Sequence, residues 1–332
     1  MMTPEIYIKR QLNASSVVFS EVLQALWSDC GAIVRYSVTG VEGIPSVILK
    51  RISVPEHISH PRGWDSKQAT DRKIHSYQVE KNWYQNWALH CDTASCVVAE
   101  CYGVLSTQDN EVYILLEDLD VAGFSKRHSQ LNVFECVPCL HWLATFHARF
   151  IQEKPSKDWP QGLWEKGTYW HLSTRQSEWQ SMSEGEFKNA ALQITSKLDN
   201  ARFQTLVHGD AKVANFCFSD DGSTVSAVDF QYVGKGVGVQ DLAYFLGSCL
   251  SEQSLQQHLD YLLDLYFTAL SGSIISLGES PDLAEAVAKE WCDLFPVAWA
   301  DFHRFILGWS PSHKKNTLFS RKMALKGLRM SV

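Results

Sequence analysis

The sequence has no apolar run that could span a bilayer and no overall excess of basic residues. The best candidate for a membrane span, YLLDLYFTALSGSIISLG, is interrupted by Asp264 and by serines. The formal net charge is −7, which argues against a nucleic-acid-binding surface. Lysines and arginines do gather near the end, in HKKNTLFSRKMALKGLRM, and we interpret this stretch as a solvated helix face. We therefore expect neither a membrane nor a nucleic acid as a partner.

The sequence also lacks the signs of export. Its first residues, MMTPEIYIKRQLN, have neither the charged nor the apolar region of a signal peptide, and its nine cysteines are an odd number. These features predict a cytoplasmic protein with reduced thiols. Cys136 and Cys139 form a CVPC pair inside a helical pattern, without a second pair at metal spacing. This context disfavours zinc or redox chemistry and leaves the role of the pair open.

The pattern of apolar residues changes at about residue 119 of the 332. Before it, short β-prone runs separated by turn residues predict a sheet, and residues 72–90 have helical spacing. The polar stretch over residues 55–71 is predicted to be a loop. After residue 119, long helical patterns surround one hairpin. This order predicts an α+β fold with a β-rich lobe over residues 1–118 and a mainly helical lobe over residues 119–332.

One stretch of the second part, LVHGDAKVANFCF, places chemically capable side chains between two β-prone runs. It contains His208, Asp210, Lys212 and Asn215. The alternative to an active site is a loop that is merely polar. The residues that follow the stretch distinguish the two.

The turn signal DDGS follows this stretch and predicts a hairpin that pairs residues 216–219 with 224–228. In that register Asn215 and Asp229 fall almost opposite each other, at the open end of the hairpin. Asp210 lies at the end of the incoming strand, so three oxygen-bearing side chains converge on one small volume. Such a set suits Mg²⁺, which takes few protein ligands when substrate phosphates supply the others. The remaining carboxylate is then free to accept a proton from a hydroxyl.

His208-Gly209-Asp210 with Asn215, followed by Asp229-Phe230, resembles the catalytic loop and metal-site pair of protein kinase-like folds. The sequence is more similar to the small-molecule branch: aminoglycoside phosphotransferases, choline kinases and the ecdysteroid kinase-like family. Four further runs resemble that last family, in its order: LLEDL (115–119), LATFHA (143–148), VDFQ (228–231) and DLAYFL (241–246). The resemblance implies a two-lobed protein kinase-like fold, and transfer of the γ-phosphate of ATP, with Mg²⁺, to a hydroxyl of a small molecule.

The resemblance also implies roles for the residues of the hairpin. Asp210 is the expected base that orients and deprotonates the acceptor hydroxyl. Asn215 and Asp229 are the expected metal ligands. Lys212 is expected to steady the γ-phosphate during transfer, with a surface lysine as the alternative.

Three other residues have expected roles around that centre. His208 belongs to the catalytic loop, and we expect it to brace the loop by hydrogen bonds instead of acting on substrate. Asp241, at the start of a helix, is expected to anchor the loop backbone. Asp301, among the tryptophans of the last helices, is a candidate polar contact in an apolar acceptor pocket.

The first part of the chain contains the expected partners for ATP. Lys50, at the end of VILK, resembles the phosphate-binding lysine, and Glu80 resembles the helix glutamate that pairs with it. The alternative for Lys50 is an exposed lysine at a strand end, and the alternative for Glu80 is a position on a solvated helix face. Ser28 and Gly31, in the turn SDCG, are expected near the phosphates, although this turn has few glycines for a phosphate loop.

LLEDL is expected to link the two lobes. Glu117 and Leu119 are candidates to bind the adenine edge through their main chains; an ordinary strand between the lobes is compatible with this role. The sequence does not distinguish ATP from GTP.

Several departures from protein kinases favour a small-molecule acceptor. Gly209 stands where protein kinases have arginine, Gln231 replaces the glycine of D-F-G, and no APE motif follows. GKGVG, at 234–238, is predicted to be a flexible replacement for the activation segment. A catalytically silent pseudokinase is the main rival, although no catalytic residue is missing, and a protein kinase is the other. The identity of the acceptor and the oligomeric state stay open.

Overall fold

The computed structural model describes residues 2–53, 67–91, 95–108 and 111–331, with Ser28 described by its backbone alone. The helices are α1 Pro4–Leu12, α2 Lys67–Asn86, α3 Val137–Arg149, α4 Gln176–Ser181, α5 Glu186–Asn189, α6 Ala191–Asp199, α7 Val239–Cys249, α8 Glu252–Ser276, α9 Pro281–Trp309 and α10 Leu318–Ser331. The strands are β1 Ser16–Ala25, β2 Gly31–Thr39, β3 Ser46–Ser53, β4 Val97–Val98, β5 Cys101–Ser106, β6 Glu111–Glu117, β7 Gln152–Glu153, β8 Phe203–Val207, β9 Phe216–Phe218, β10 Val225–Ala227 and β11 Gly234–Gly236.

The first part of the chain forms a five-stranded antiparallel sheet in the order β1-β2-β3-β6-β5. The alternation along β3 gives this sheet two faces. Val47 and Leu49 join a small core under α1, whereas Lys50 and Ile52 lie on the opposite face, toward α2. Because Lys50 lies on a central strand, its position is fixed by neighbours on both sides.

The helix α1 was not predicted from the sequence. This helix has recognisable start signals, because the Thr3 side chain accepts a hydrogen bond from the Ile6 N–H and Pro4 occupies the first turn. The predicted loop over residues 55–71 was wrong for Lys67–Asp71, which begin α2, and residues 54–66 lie outside the described part of the chain.

The second part is mainly helical, with α3 packed on α8 and α9 packed on α7, α8 and α10. Two small sheets accompany these helices, in the orders β4-β10-β9 and β11-β8-β7. β4 comes from before residue 118 yet pairs in parallel with β10. The lobe boundary between residues 118 and 119 stays a prediction. It lies next to the end of β6 at Glu117. Within the described residues, none of the helices has the length and apolar character that crossing a bilayer requires.

The predicted hairpin is confirmed. Phe216 pairs with Ala227 and Phe218 with Val225, and the Val228 N–H donates to the Asn215 carbonyl at 2.9 Å. This register places Asn215 and Asp229 at the same open end, as the turn chemistry predicted.

GKGVG was predicted to be flexible, and this was wrong. Gly234–Gly236 form β11, which pairs antiparallel with β8. The glycine at 234 is needed there because a Cβ atom would lie 2.3 Å from the Trp164 carbonyl oxygen. The segment after the hairpin therefore closes onto the strand that leads into the catalytic loop.

Candidate active site

A buried ion pair joins the sheet to α2. Lys50 Nζ, on the inner face of β3, lies 2.6 Å from Glu80 Oε2 and 3.5 Å from Asp229 Oδ1. The side chains of Lys50 and Glu80 are 5% and 2% exposed, so neither charge is solvated. One ammonium thus connects three separate elements: β3, α2 and the segment after β10.

Burial and the charges of neighbouring side chains have opposite effects on the pKa values of Lys50 and Asp229. Burial alone would lower the pKa of Lys50, but the carboxylates of Glu80 and Asp229 hold it above its ordinary value. Burial alone would raise the pKa of Asp229, but Lys50, Lys73 and Lys212 hold it below its ordinary value. At neutral pH the site therefore presents an ammonium and a carboxylate.

The catalytic loop brings Asp210 to the same centre. Lys212 Nζ lies 2.9 Å from Asp210 Oδ2, and Asn215 Nδ2 donates to the Asp210 carbonyl at 2.8 Å and to Oδ2 at 3.2 Å. The pKa of Lys212 is raised although burial opposes its charge, because the Asp210 carboxylate stabilises the ammonium. These contacts fix the orientation of the Asp210 carboxylate.

His208 and Asp241 support this loop. His208 Nε2 lies 3.0 Å from the Val228 carbonyl, and His208 Nδ1 accepts the Asp210 N–H at 3.3 Å. Asp241, in the first turn of α7, accepts the backbone N–H groups of His208 at 2.5 Å and Gly209 at 2.9 Å. Both side chains thus contact the loop backbone, in the positions expected of supporting residues.

Gly209 is required by the backbone. Its φ is +79°, and a Cβ atom would lie 2.1 Å from the Tyr232 carbonyl oxygen. A side chain of any kind would therefore displace the segment that follows Asp229. Steric exclusion therefore accounts for a glycine at the position where protein kinases have arginine.

The hairpin residues fit a hard divalent cation. Both hydrogen bonds of the Asn215 side chain use its amide nitrogen, which leaves the amide oxygen for a ligand. Asp229 Oδ1 is buried, and the contact that the described residues give it is the 3.5 Å ion pair with Lys50. Among the described residues, no group of three or more His, Cys, Asp or Glu side chains has a geometry that could hold a metal ion. The donor set is therefore one amide and one carboxylate, which suits Mg²⁺ with substrate phosphates as further ligands.

These groups line a cleft of about 610 Å³, which we call the first cavity. Its polar end contains Lys50, Glu80, Asn215, Asp229 and Lys212, while Ile33, Ile48 and Leu116 provide apolar walls. Glu117 and Leu119 also line it, as expected for the linker. The Glu117 N–H and the Leu119 carbonyl already bond to Glu100 and Phe124, so other main-chain groups of this segment would have to bind adenine.

The turn between β1 and β2 approaches the first cavity through Leu26 and Trp27. Gly31 does not line the cavity; it pairs with Ile52, and a Cβ atom there would lie 2.0 Å from the Arg51 carbonyl oxygen. Strand packing thus accounts for Gly31 without a phosphate. The side chain of Ser28 lies outside the described part of the chain.

Asp301 is buried within α9 and does not line the first cavity. Its Oδ1 lies 2.7 Å from an Arg304 nitrogen and its Oδ2 accepts the Trp170 Nε1–H at 3.0 Å. The residue is 1% exposed. Both oxygens are engaged in packing contacts, so the geometry does not support the predicted acceptor contact.

Two lysines near the catalytic loop were not predicted from the sequence as functional residues. Lys73 lies two helical turns before Glu80 on α2, lines the first cavity and donates to Gln231 Oε1. Its spacing of seven residues from Glu80 was an available signal, because such positions share a helix face. Lys315 is the other: its Nζ lies 4.5 Å from the Tyr244 ring centroid and 5.2 Å from that of Phe302.

The interpretation of the C-terminal basic stretch as a solvated helix face was therefore wrong for Lys315, which precedes α10. Burial lowers the pKa of Lys315 to about 8, although the charge of Asp210 acts in the opposite direction. No local sequence pattern predicts this position for Lys315, because Tyr244, whose ring it contacts, lies far from it in the sequence.

The fold and this site define the class of the protein as a kinase-like small-molecule phosphotransferase. The chain belongs to the ecdysteroid kinase-like family. The model of this family matches residues 66–158 and 168–279, which are more than half of the chain. This confirms the resemblance deduced from the motifs.

Solved structures confirm the two-lobed kinase-like α+β fold. A candidate aminoglycoside phosphotransferase from Ralstonia eutropha JMP134 is similar with a TM-score of 0.52 and 10% identity, covering 98% of this chain and 94% of that one. Choline kinase from Cryptosporidium parvum Iowa II is similar with a TM-score of 0.50 and 8% identity, covering 95% and 88%. At such identities the likeness concerns the fold alone. By sequence, no curated protein matches the chain.

Proposed function

We propose that this protein transfers the γ-phosphate of ATP, with Mg²⁺, to a hydroxyl of a small molecule. The observation that carries the proposal is the convergence of Lys50, Lys212, Asn215 and Asp229 on one cleft, with Asp210 in contact with Lys212 and Asn215. Asp210 is 7% exposed and contacts Lys212 and Asn215, so the proposed base lies next to residues that line the cleft.

In this proposal the protein acts mainly by placement and charge stabilisation. Lys50, held by Glu80, binds the phosphates of ATP. Asp210 orients the acceptor hydroxyl and takes its proton at a carboxylate oxygen, and Lys212 stabilises the charge that develops on the transferred group. Mg²⁺, when held by Asn215 and Asp229, would neutralise the charge of the phosphates. His208 and Asp241 keep the loop in position.

Removal of divalent cations tests this function. We expect ADP release, measured with a panel of hydroxylated metabolites, to require both a hydroxylated acceptor and Mg²⁺, to stop with EDTA and to return when Mg²⁺ is restored in excess. Mass spectrometry should find one phosphate added to the acceptor. Binding of ATP by calorimetry without turnover on any acceptor would instead support the pseudokinase alternative, and transfer to protein substrates would support a protein kinase.

Lys315 gives the proposed reaction a pH dependence. Its pKa of about 8 lies below the ordinary lysine value, so the ammonium that interacts electrostatically with Asp210 and Lys212 is lost as the pH rises through 8. Cys249 and Lys314 are the other titratable groups that affect Lys315, and the rings of Tyr244 and Phe302 flank it. We expect the transfer rate to fall above pH 8, and Lys315→Arg to retain the rate there because arginine keeps its charge.

Stability should change in the opposite direction. Below pH 8 Lys315 is charged in both the folded and the unfolded chain, so the full penalty of burying the ammonium applies. Between pH 8 and the unfolded value the folded state sheds this charge and becomes more stable. Lys315→Met should remove both trends, measured as rate and melting temperature against pH. A wild-type rate that is flat from pH 7 to 9 would contradict the role of Lys315.

A further inference from the structure

A second cavity of about 560 Å³ adjoins the first, and the two share Trp27 and Lys73. Tyr169 and Tyr232 form the wall of the second cavity nearest the catalytic loop. The Tyr169 N–H donates to the Gly209 carbonyl at 3.0 Å, next to Asp210 in the chain. Burial raises the pKa of Tyr169, and the charge of Asp210 raises it too, so this wall of the second cavity lies near the Asp210 carboxylate.

The charged side chains that line the second cavity are Arg72, Lys73 and Arg175 on the positive side and Glu178 on the negative side. Among the described residues the cavity therefore carries an excess of two positive charges. Arg175 Nη1 lies 2.9 Å from Glu178 Oε1, so the Glu178 carboxylate forms an ion pair with one of the three cations. Within the described residues Arg72 forms no ion pair with a carboxylate; its Nη1 donates to the Thr174 carbonyl at 2.7 Å.

The two guanidiniums are held in fixed positions. Arg175 donates from Nε to the Tyr169 carbonyl at 2.7 Å and lies 5.6 Å and 5.4 Å from the ring centroids of Tyr169 and Phe305. Burial and the charge of Arg175 lower the pKa of Arg72, because the two like charges are close and partly desolvated. Each guanidinium has five N–H groups, so donors remain beyond these bonds.

Two adjacent guanidiniums with free donors form a site for an anion, because the planar fork matches a carboxylate and the ligand charge relieves their repulsion. A cationic acceptor, such as an aminated sugar or a quaternary ammonium, would meet like charge there. The rings of Tyr169, Tyr232, Phe305 and Trp309 provide an apolar wall beside the guanidiniums.

We propose that the second cavity binds the acceptor and selects a hydroxylated molecule that carries a carboxylate on an apolar or aromatic body. The inference rests on the proposed phosphotransferase function and names its acceptor class. Arg72 and Arg175 bind the carboxylate, the aromatic wall packs against the body, and the hydroxyl points to Asp210.

Three probes of equal size test the selectivity: 4-(hydroxymethyl)benzoate, its carboxamide, and 4-(aminomethyl)benzyl alcohol. Binding is measured by melting temperature and calorimetry with AMP-PNP and Mg²⁺ present, so that the nucleotide cleft is filled. We expect the carboxylate to bind, the amide to bind more weakly and the ammonium compound not to raise the melting temperature. Equal binding of all three, preference for the ammonium, or no binding of the carboxylate up to its solubility limit overturns the inference.

Variants of the lining residues test the site itself. Arg72→Gln should weaken carboxylate binding by roughly tenfold or more, because a charge-assisted hydrogen bond is lost, and should leave amide binding unchanged. Glu178→Gln should tighten carboxylate binding, because it frees Arg175. Lys81→Gln is the matched control: Lys81 lies on the same helix, and its Nζ donates to Ser106 Oγ at 2.9 Å. Unchanged AMP-PNP binding shows that each variant is folded.

The selectivity and the transfer reaction are scored separately. Carboxylate binding without phosphorylation of the probe would leave the selectivity intact and count against the phosphotransferase function. Phosphorylation of the three probes at equal rates and affinities would support the function and overturn the anionic acceptor. An Arg72→Gln variant that binds the carboxylate with wild-type affinity would overturn it as well.

Discussion

Replacing Asp210 by asparagine should lower kcat by roughly 10²- to 10⁴-fold, the usual contribution of a positioned general base. Asparagine has nearly the same shape, and its amide oxygen can still accept a hydrogen bond from Lys212. It cannot take the proton of the acceptor hydroxyl. We therefore expect the melting temperature and the affinity for ATP to stay close to those of the wild type while phosphate transfer is lost.

Asp293→Asn is the matched control for this change. Asp293 is an exposed carboxylate on α9 whose lysine partner, Lys289, lies 3.3 Å away, and its contact should contribute little to stability. Transfer rates are measured by ADP release with saturating ATP and Mg²⁺. If Asp210→Asn retained the wild-type rate, Asp210 would not be the base, and the convergence of residues on the cleft would need another explanation.

Replacing Lys50 by methionine should abolish transfer and lower the free energy of unfolding by about 3–5 kcal/mol, the usual effect of breaking a buried ion pair. The loss arises because Glu80 stays in a site where its side chain is 2% exposed. Burial raises the pKa of Glu80 above its ordinary value, against the opposing charges of Lys50 and Lys73, so removing Lys50 raises this pKa further. Asp229 loses its nearest cation at the same time.

This destabilisation should depend on pH with a definite sign. Without Lys50, the folded-state pKa of Glu80 lies above the unfolded value, so the deficit is largest at neutral and higher pH and shrinks as the pH falls and Glu80 takes a proton. The double variant Lys50→Met/Glu80→Gln should regain most of the stability but none of the activity. Chemical denaturation at pH 5 and 8 measures the first effect, and ADP release measures the second.

Lys81→Met provides the control, since Lys81 follows Glu80 directly but makes an exposed contact with Ser106. It should change neither stability nor transfer appreciably. A Lys50→Met protein as stable as the wild type at both pH values would show that Glu80 is not held as an uncompensated buried charge.

The hairpin was predictable because its information is local. The DDGS turn fixes the pairing of β9 with β10, and the register alone brings Asn215 and Asp229 to one end. Lys50 and Glu80 come from elements with clear period-two and period-3.6 patterns, so their inward orientation followed once the motifs suggested a partner. The pairing of β4 with β10 and the strand β11 were not predicted, because they depend on contacts between distant parts of the chain and not on local propensity.

The sequence by itself determined the family, the two-lobed α+β architecture and a set of acidic, amide and basic residues with the spacing of a phosphotransfer site. Only the tertiary structure placed Lys315 on Tyr244, engaged both oxygens of Asp301 with Arg304 and Trp170, and brought Arg72 beside Arg175. The physical reason is the separation along the sequence of the residues that interact. Turn chemistry and helix faces act over a few residues, whereas the charge and shape of the second cavity arise from α2, the segment before α4 and the end of α9, which meet only when the chain is packed.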